Sequence, residues 1–279
     1  MSTTARMTSK QIILYILLVI VLLWILVPII WMVVSSLKPT DAIFSPIPTL
    51  FFSPTLQHYI DVFTGGNAIG GYILNSILAA GISTLVAVIL GCLAGYGLAS
   101  GKFRGKQHVS FWIISTRMAP IAAVILPLYI GFRYLHLLNS LTGLVVAYLT
   151  FNLPFAIWLM NAFFADLPPS LEEAASVDGA TRLQAFWHVV LPLVTPGTAT
   201  TAILCLVFAW NDYAFAQTFA GPDSQTLPLA ASQLITQNGI DWGQLTAIGT
   251  IVALPMVAIG LAVRRWLVKG LTLGAVSGQ

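Results

Sequence analysis

Charge is what this sequence has least of: Asp, Glu, Lys and Arg make up 8% of its 279 residues, against roughly a quarter in an average soluble domain. So large a deficit excludes a chain whose surface faces water throughout. Cysteine is scarce as well. Cys92 and Cys205 both fall inside apolar runs, have no obvious partner and lack metal-ligand spacing, so each reads as a small hydrophobic side chain. The four histidines, His58, His108, His136 and His188, neither cluster nor match a metal spacing. No glycine-rich loop leads into Lys followed by Ser or Thr, so the chain lacks a phosphate cradle and is not itself an ATPase. Twelve basic residues spread over the whole length make no nucleic-acid stripe.

Apolar sequence is what the chain has in excess, 58% of it, gathered into long runs broken by small clusters of Pro, Gly and charge. Gln11 to Leu37 carries no charge and, at about 1.5 Å per residue, exceeds a hydrocarbon core of about 30 Å. It is too long for a cleaved signal peptide, and Ser35-Ser36-Leu37-Lys38 is a poor cleavage site. Further runs follow at Tyr72 to Ser100, His108 to Phe132, Leu141 to Phe164, Leu191 to Phe215 and Gln244 to Arg264. The expected fold class is therefore an all-α membrane protein with six transmembrane helices.

Basic residues set the expected orientation. Arg6, Lys10, Lys102, Arg104, Lys106, Arg182, Arg264, Arg265 and Lys269 lie in the tails and the even-numbered connections, leaving Lys38 and Arg133 on the other side and Arg117 within a span. Both termini and the 101–106 and 167–190 connections are expected to be cytoplasmic. The expected organisation is a cytoplasmic tail at 1–10, a first span at 11–37, an external loop at 38–71, a membrane core at 72–270 and a cytoplasmic tail at 271–279. Gly91 and Gly95 share one helix face at i, i+4 spacing, which permits close backbone approach and predicts a packed bundle.

The most informative stretch is Pro168-Pro169-Ser170-Leu171-Glu172-Glu173-Ala174-Ala175-Ser176-Val177-Asp178-Gly179-Ala180-Thr181-Arg182-Leu183-Gln184. It predicts two helices. Ser170 and Glu173 have capping-box spacing, Glu172 and Glu173 complement the positive end of the helix dipole, and Gly179 can turn left-handed and end the helix after about two turns. Thr181 and Gln184 repeat the capping box, and Pro192 sits where the second helix meets the next span. Ala174 and Ala175 beside carboxylates suit close docking into a cleft of another protein; a helix that merely links two spans is the alternative that spacing alone leaves open.

Glu173-Ala174-Ala175, three residues, Gly179, nine residues, then Val189-Val190-Leu191-Pro192 resembles the EAA motif of ABC importer permeases, with Val189 in place of the usual Ile. Together with the six-span plan, the segment Phe52 to Tyr59 and the ending Leu267 to Val276, the chain is similar to carbohydrate-uptake permeases, especially the shorter partner of the maltose-type pair. That resemblance implies the type I ABC importer permease fold. It also implies an EAA loop at 167–190 that docks into a cytoplasmic ATPase, with Glu172, Glu173, Ala174, Ala175, Asp178, Gly179, Leu191 and Pro192 as coupling residues. The implied partners are two ATPase subunits, a second homologous permease and an extracytoplasmic solute-binding protein, which the Gln217 to Trp242 loop would meet. No cofactor is expected on this chain; ATP and Mg belong to the ATPase.

Polar groups inside spans usually face a bundle interior or a water-filled cavity. Asn75, Arg117, Asn152, Asn211, Asp212 and Tyr213 are the candidates for a solute path. Each has a structural alternative: Arg117 could snorkel or pair with Asp212, Asn75 and Asn152 could join helices, and 211–213 could belong to an interfacial aromatic belt. Glycerol phosphate, amino acids or ion-coupled secondary transport are alternative functions. The last would call for internal repeats and ion-coupling carboxylates, and neither is evident.

Overall fold

The computed structural model describes residues 9–276 apart from 48, 50, 66, 67 and 238, with backbone alone for Ser9 and 264–276. Residues 1–8 and 277–279, which belong to the two expected tails, lie outside the described residues. Eleven helices are labelled here: α1 (Ser9–Ser35), α2 (Gln57–Thr64), α3 (Gly70–Ser100), α4 (Lys106–Met118), α5 (Ile121–Tyr134), α6 (Leu141–Ala165), α7 (Ser170–Val177), α8 (Arg182–Leu193), α9 (Thr195–Trp210), α10 (Ala214–Phe219) and α11 (Trp242–Val276).

Among the described residues, α1, α3, α6 and the 242–263 part of α11 are each long and apolar enough to cross a membrane. Two expected spans are not continuous. His108 to Phe132 is divided into α4 and α5, bent by 94°, and Leu191 to Phe215 is replaced by α8 and α9, bent by 75°. If each bent pair counts as one span, the total is the expected six. Proline causes both breaks. Pro120 drives Ala119 out of the helical region, to φ −64° and ψ 131°. Pro192 lacks the N–H that would reach the His188 carbonyl, and the Phe186–Val190 stretch just before it widens into a π-helix. Pro196 then opens α9 after Val194 leaves helical geometry.

The chain divides into two units, residues 1–68 with 233–253 and residues 69–232 with 254–279. In the first, α1 has none of its most apolar window buried. Lys38, beyond its end, is buried, with Nζ 4.5 Å from the Trp31 ring centroid and 5.5 Å from that of Phe52. His58 Nε2 lies 2.8 Å from the Lys38 carbonyl, and Ser36 Oγ 2.7 Å from the Tyr59 hydroxyl. The stretch expected as a loop at 38–71 thus holds a two-turn helix, α2, tied back to the end of α1. Ile235–Thr236 and Gly239–Ile240 pair as a small antiparallel hairpin.

The second unit is built on the α3 and α6 pair, with α9 against both. Its helices approach closely where the glycines predict. A Cβ placed on Gly91 would lie 2.7 Å from Ala156 Cβ, and one on Gly95 would lie 2.8 Å from the Asn161 backbone nitrogen. Cys92, Met160, Phe164, Phe186, Val190 and Val194 form a buried cluster at the end of this unit that carries Lys102, Lys106 and Arg182. Both cysteines are buried and free, as read from their apolar surroundings.

Candidate functional site

At this basic end, α7 is a helix of eight residues. Its first turn carries Glu172 and Glu173, and Gly179 follows at φ +84°, a left-handed conformation open to glycine at little cost. Chain reversal then follows as expected: the Gly179 N–H donates to the Ser176 carbonyl and the Ala180 N–H to the Ala175 carbonyl, at 3.1 and 2.9 Å. The start of α7 differs from expectation. Pro169 occupies the N-cap in helical geometry and no side chain caps the helix, so the Ser170–Glu173 capping box does not form. A proline in that place already fixes φ and brings no N–H to satisfy, so the helix starts one residue ahead of the serine. The second box does form: the Thr181 N–H donates to Gln184 Oε1 at 2.8 Å, and the Gln184 N–H to Thr181 Oγ1 at 3.3 Å.

The two alanines have opposite surroundings. Ala175 is 8% exposed and faces its own unit, whereas Glu173, Ala174, Asp178 and Gly179 are exposed, with Val177 at 88%. Behind α7 lies a cavity of about 600 Å³, bordered by Tyr96, Lys102, Lys106, Phe164, Glu172 and Arg182. Past it, Phe186 of α8 is buried against Tyr96 of α3 and Phe164 of α6, with ring centroids 4.8 and 6.1 Å apart. Packed rings thus join α8 to α3 and α6. Tyr96, Phe164 and Phe186 lie 68 and 22 residues apart in sequence, which is why spacing alone did not single them out.

A second constellation lies where α4, α6 and α9 meet. The Arg117 guanidinium donates from Nη1 to the Phe151 carbonyl at 3.1 Å, with its central carbon 4.4 Å from the Phe155 ring centroid and 4.3 Å from that of Phe208. Arg117 borders a cavity of about 300 Å³ together with Thr116, Thr150, Phe151, Asp212 and Phe215. Asp212 does not pair with it. Its carboxylate accepts from the Ala216 N–H at 3.1 Å and the Phe215 N–H at 3.5 Å, and so caps α10.

The remaining polar candidates do not share this cavity. Asn75 Nδ2 donates to the Asp223 and Gln225 carbonyls at 2.9 and 3.0 Å, tying α3 to the 222–226 turn. Asn152 is fully buried and donates to the Cys205 carbonyl at 3.1 Å, joining α6 to α9. Asn211 donates back to Val207 at 2.8 Å, and Tyr213 is partly exposed. Sequence reasoning missed Phe151, Phe155 and Phe208; their only local signal was an aromatic residue within an apolar run.

A model of the family described as the inner membrane component of binding-protein-dependent transport systems matches residues 87–273. Over 258 residues, 91% of this chain and 93% of the relative, the sequence is 35% identical to the trehalose transport system permease protein SugB of Mycobacterium tuberculosis. It is 31% identical over 261 residues to the diacetylchitobiose uptake system permease protein DasC of Streptomyces coelicolor, covering 93% of this chain and 95% of that one. In fold it is similar to a chain in the crystal structure of a bacterial ABC transporter that imports the acidic polysaccharide alginate, with a TM-score of 0.79 at 23% identity, covering 94% and 99% of the two chains.

Proposed function

Because this chain belongs to the family of binding-protein-dependent transport system inner membrane components, we propose that it forms one half of the pore of an ATP-driven carbohydrate importer. It is a multi-pass membrane subunit and not an enzyme; hydrolysis belongs to a separate ATPase. Its partners are a second, homologous permease, two ATPase subunits that hold ATP and Mg, and an extracytoplasmic solute-binding protein. Carbohydrate is supported by relatives named for trehalose and diacetylchitobiose uptake. Both termini are cytoplasmic on this reading, supported by the basic residues of the tails and of the 101–106 and 167–190 connections. The core is 72–270 with the coupling loop at 167–190, and 1–10 and 271–279 are the tails.

The observation that carries the reading is the outward face of α7, where Glu173, Ala174 and Asp178 stand exposed just before Gly179 turns the chain back. On this reading α7 docks in the ATPase cleft, with Glu172, Glu173, Ala174, Asp178 and Gly179 at or beside the contact. Ala175 anchors the helix from behind, and Leu191 and Pro192 shape the joint with the next span. Closure of the ATPase pair displaces α7, and the Tyr96, Phe164 and Phe186 rings carry that displacement into the bundle, switching it between outward- and inward-facing states.

A bifunctional thiol crosslinker tests the docking in importing membrane vesicles. Ala174→Cys is expected to capture the ATPase, and Ala175→Cys, at 8% exposure, to capture far less. Failure of Ala174→Cys to capture it while uptake proceeds would overturn the assignment. Uptake of labelled trehalose, maltose and diacetylchitobiose, set against glycerol 3-phosphate and an amino acid, tests the solute class.

A further inference from the structure

Arg117 is placed unusually for a cation inside a membrane span. Phe151 and Phe155 lie ten residues from the first and last residues of α6 respectively, about 15 Å from either end. Its guanidinium therefore sits near the mid-depth of that helix. The Phe155 and Phe208 centroids are 5.3 Å apart with the rings nearly perpendicular. Since each lies about 4.4 Å from the guanidinium carbon, both rings cover the same side of the cation. A single hydrogen bond, to the Phe151 carbonyl, uses one of its five N–H donors. Arg117 and Phe208 both line the cavity.

The cavity also holds acceptors. The Asp212 carboxylate accepts two backbone N–H groups and has further lone-pair positions. Thr150 donates its hydroxyl hydrogen to the Ala147 carbonyl, and Thr116 donates to the Ile113 carbonyl, so both oxygens can accept from a solute. Phe151 and Phe215 supply ring faces, their centroids 5.4 Å apart, whose negative surfaces suit the C–H face of a sugar ring. A volume of about 300 Å³ lies at the small end of ligand pockets, which fits one ring and not a chain of rings. One cationic donor and one anionic acceptor share the site, so it matches vicinal hydroxyls that accept and donate together, and Asp212 disfavours a carboxylated sugar.

We propose that this cavity is a transit subsite for a single neutral pyranose unit, with Arg117 donating to its hydroxyl oxygens, Asp212 accepting from its hydroxyls and Phe151 or Phe215 under its ring. This chain then contributes solute contacts of its own rather than only a wall, and a longer sugar passes unit by unit. The proposal rests on the importer reading above and specifies its solute.

The test uses the complete importer, both permeases with the ATPase and the binding protein, in vesicles. Labelled trehalose, maltose and diacetylchitobiose are the probes. Arg117→Met keeps an unbranched, polarizable stem beside the rings but removes the donors. It is expected to lower uptake by roughly tenfold, as when a charged donor is withdrawn from polar acceptors. Binding-protein-stimulated ATP hydrolysis should persist. Thr150→Val is expected to lower uptake several-fold. A second measurement begins with Arg117 intact: Thr116→Cys introduces an accessible thiol while Cys92 and Cys205 stay buried. During turnover the transported sugar should slow its modification by a small cationic thiol reagent, and Arg117→Met should abolish that protection. Wild-type uptake by Arg117→Met, or an unprotected Thr116→Cys in a complex that imports the sugar, would overturn the subsite and leave the importer reading standing. Absence of ATP-driven uptake of every probe by the wild-type complex would instead remove the carbohydrate reading, and the subsite with it.

Discussion

Gly179 shows how far a single residue can be argued. Its φ of +84° is a conformation that β-branched side chains resist, while a Cβ there would meet nothing within 4 Å. Within this chain, substitution therefore acts through backbone strain, at about 1–3 kcal/mol. Gly179→Val is expected to insert and assemble normally yet import several-fold less sugar per ATP hydrolysed, as uptake and phosphate release measured on the same vesicles would reveal. Gly179→Asn should be milder, because asparagine tolerates the left-handed region. Wild-type coupling in the valine variant would show that the turn is not the joint. This residue was legible in advance because the turn is local: the helix before it and the capping box after it are contiguous with it. Arg117 was only half legible. Its charge inside an apolar run marked it, but its rings come from α6 and α9, so the alternative of a pair with Asp212 could be settled only by their positions.

Among the elements, the α3 and α6 contact and the start of α8 each carry a distinct expectation. A side chain at Gly91 must displace Ala156, whose Cβ would lie 2.7 Å from the new Cβ, whereas Gly81 has open space around it. Gly91→Leu is expected to destabilise the bundle by about 1–3 kcal/mol. Gly81→Ala should leave it unchanged or stabilise it by about 0.5–1 kcal/mol through helix propensity. Thermal unfolding of the purified complex in detergent measures both, and equal effects would contradict the close approach. Thr181→Ala removes the hydroxyl that accepts the Gln184 N–H, at a cost of about 1 kcal/mol to the start of α8. Coupling efficiency should fall while membrane abundance holds, since the packing of Phe186 is untouched. The spacing of Thr181 and Gln184 disclosed that cap, but the same reasoning misplaced the start of α7, where the preceding proline took the N-cap position. The breaks at Pro120 and Pro192 were visible as residues, yet the 94° and 75° bends were not, because a proline permits a range of kinks and neighbouring helices select one.

For the whole molecule the decisive expectation is orientation. Lys102→Cys should react with an impermeant thiol reagent only from the cytoplasmic side, and Asp223→Cys only from the outside. Right-side-out and inverted vesicles provide the comparison, and the reverse pattern would turn the coupling helix away from its ATPase. The long apolar runs, the connections in which the basic residues gather, and the acid-and-alanine helix closed by Gly179 could all be read from the sequence alone. Each depends on runs or spacings within one stretch of chain, where hydrophobic length, charge and backbone freedom act locally. Tertiary structure alone decided that two apolar runs break into helix pairs bent by 94° and 75°, that Ala175 turns inward while Ala174 turns out, that Asn75 and Asn152 bind backbone carbonyls, and that Arg117 and Asp212 border one cavity without pairing. These depend on residues from separate helices arriving at one place, and the packing that brings them together leaves no periodic trace in any single stretch.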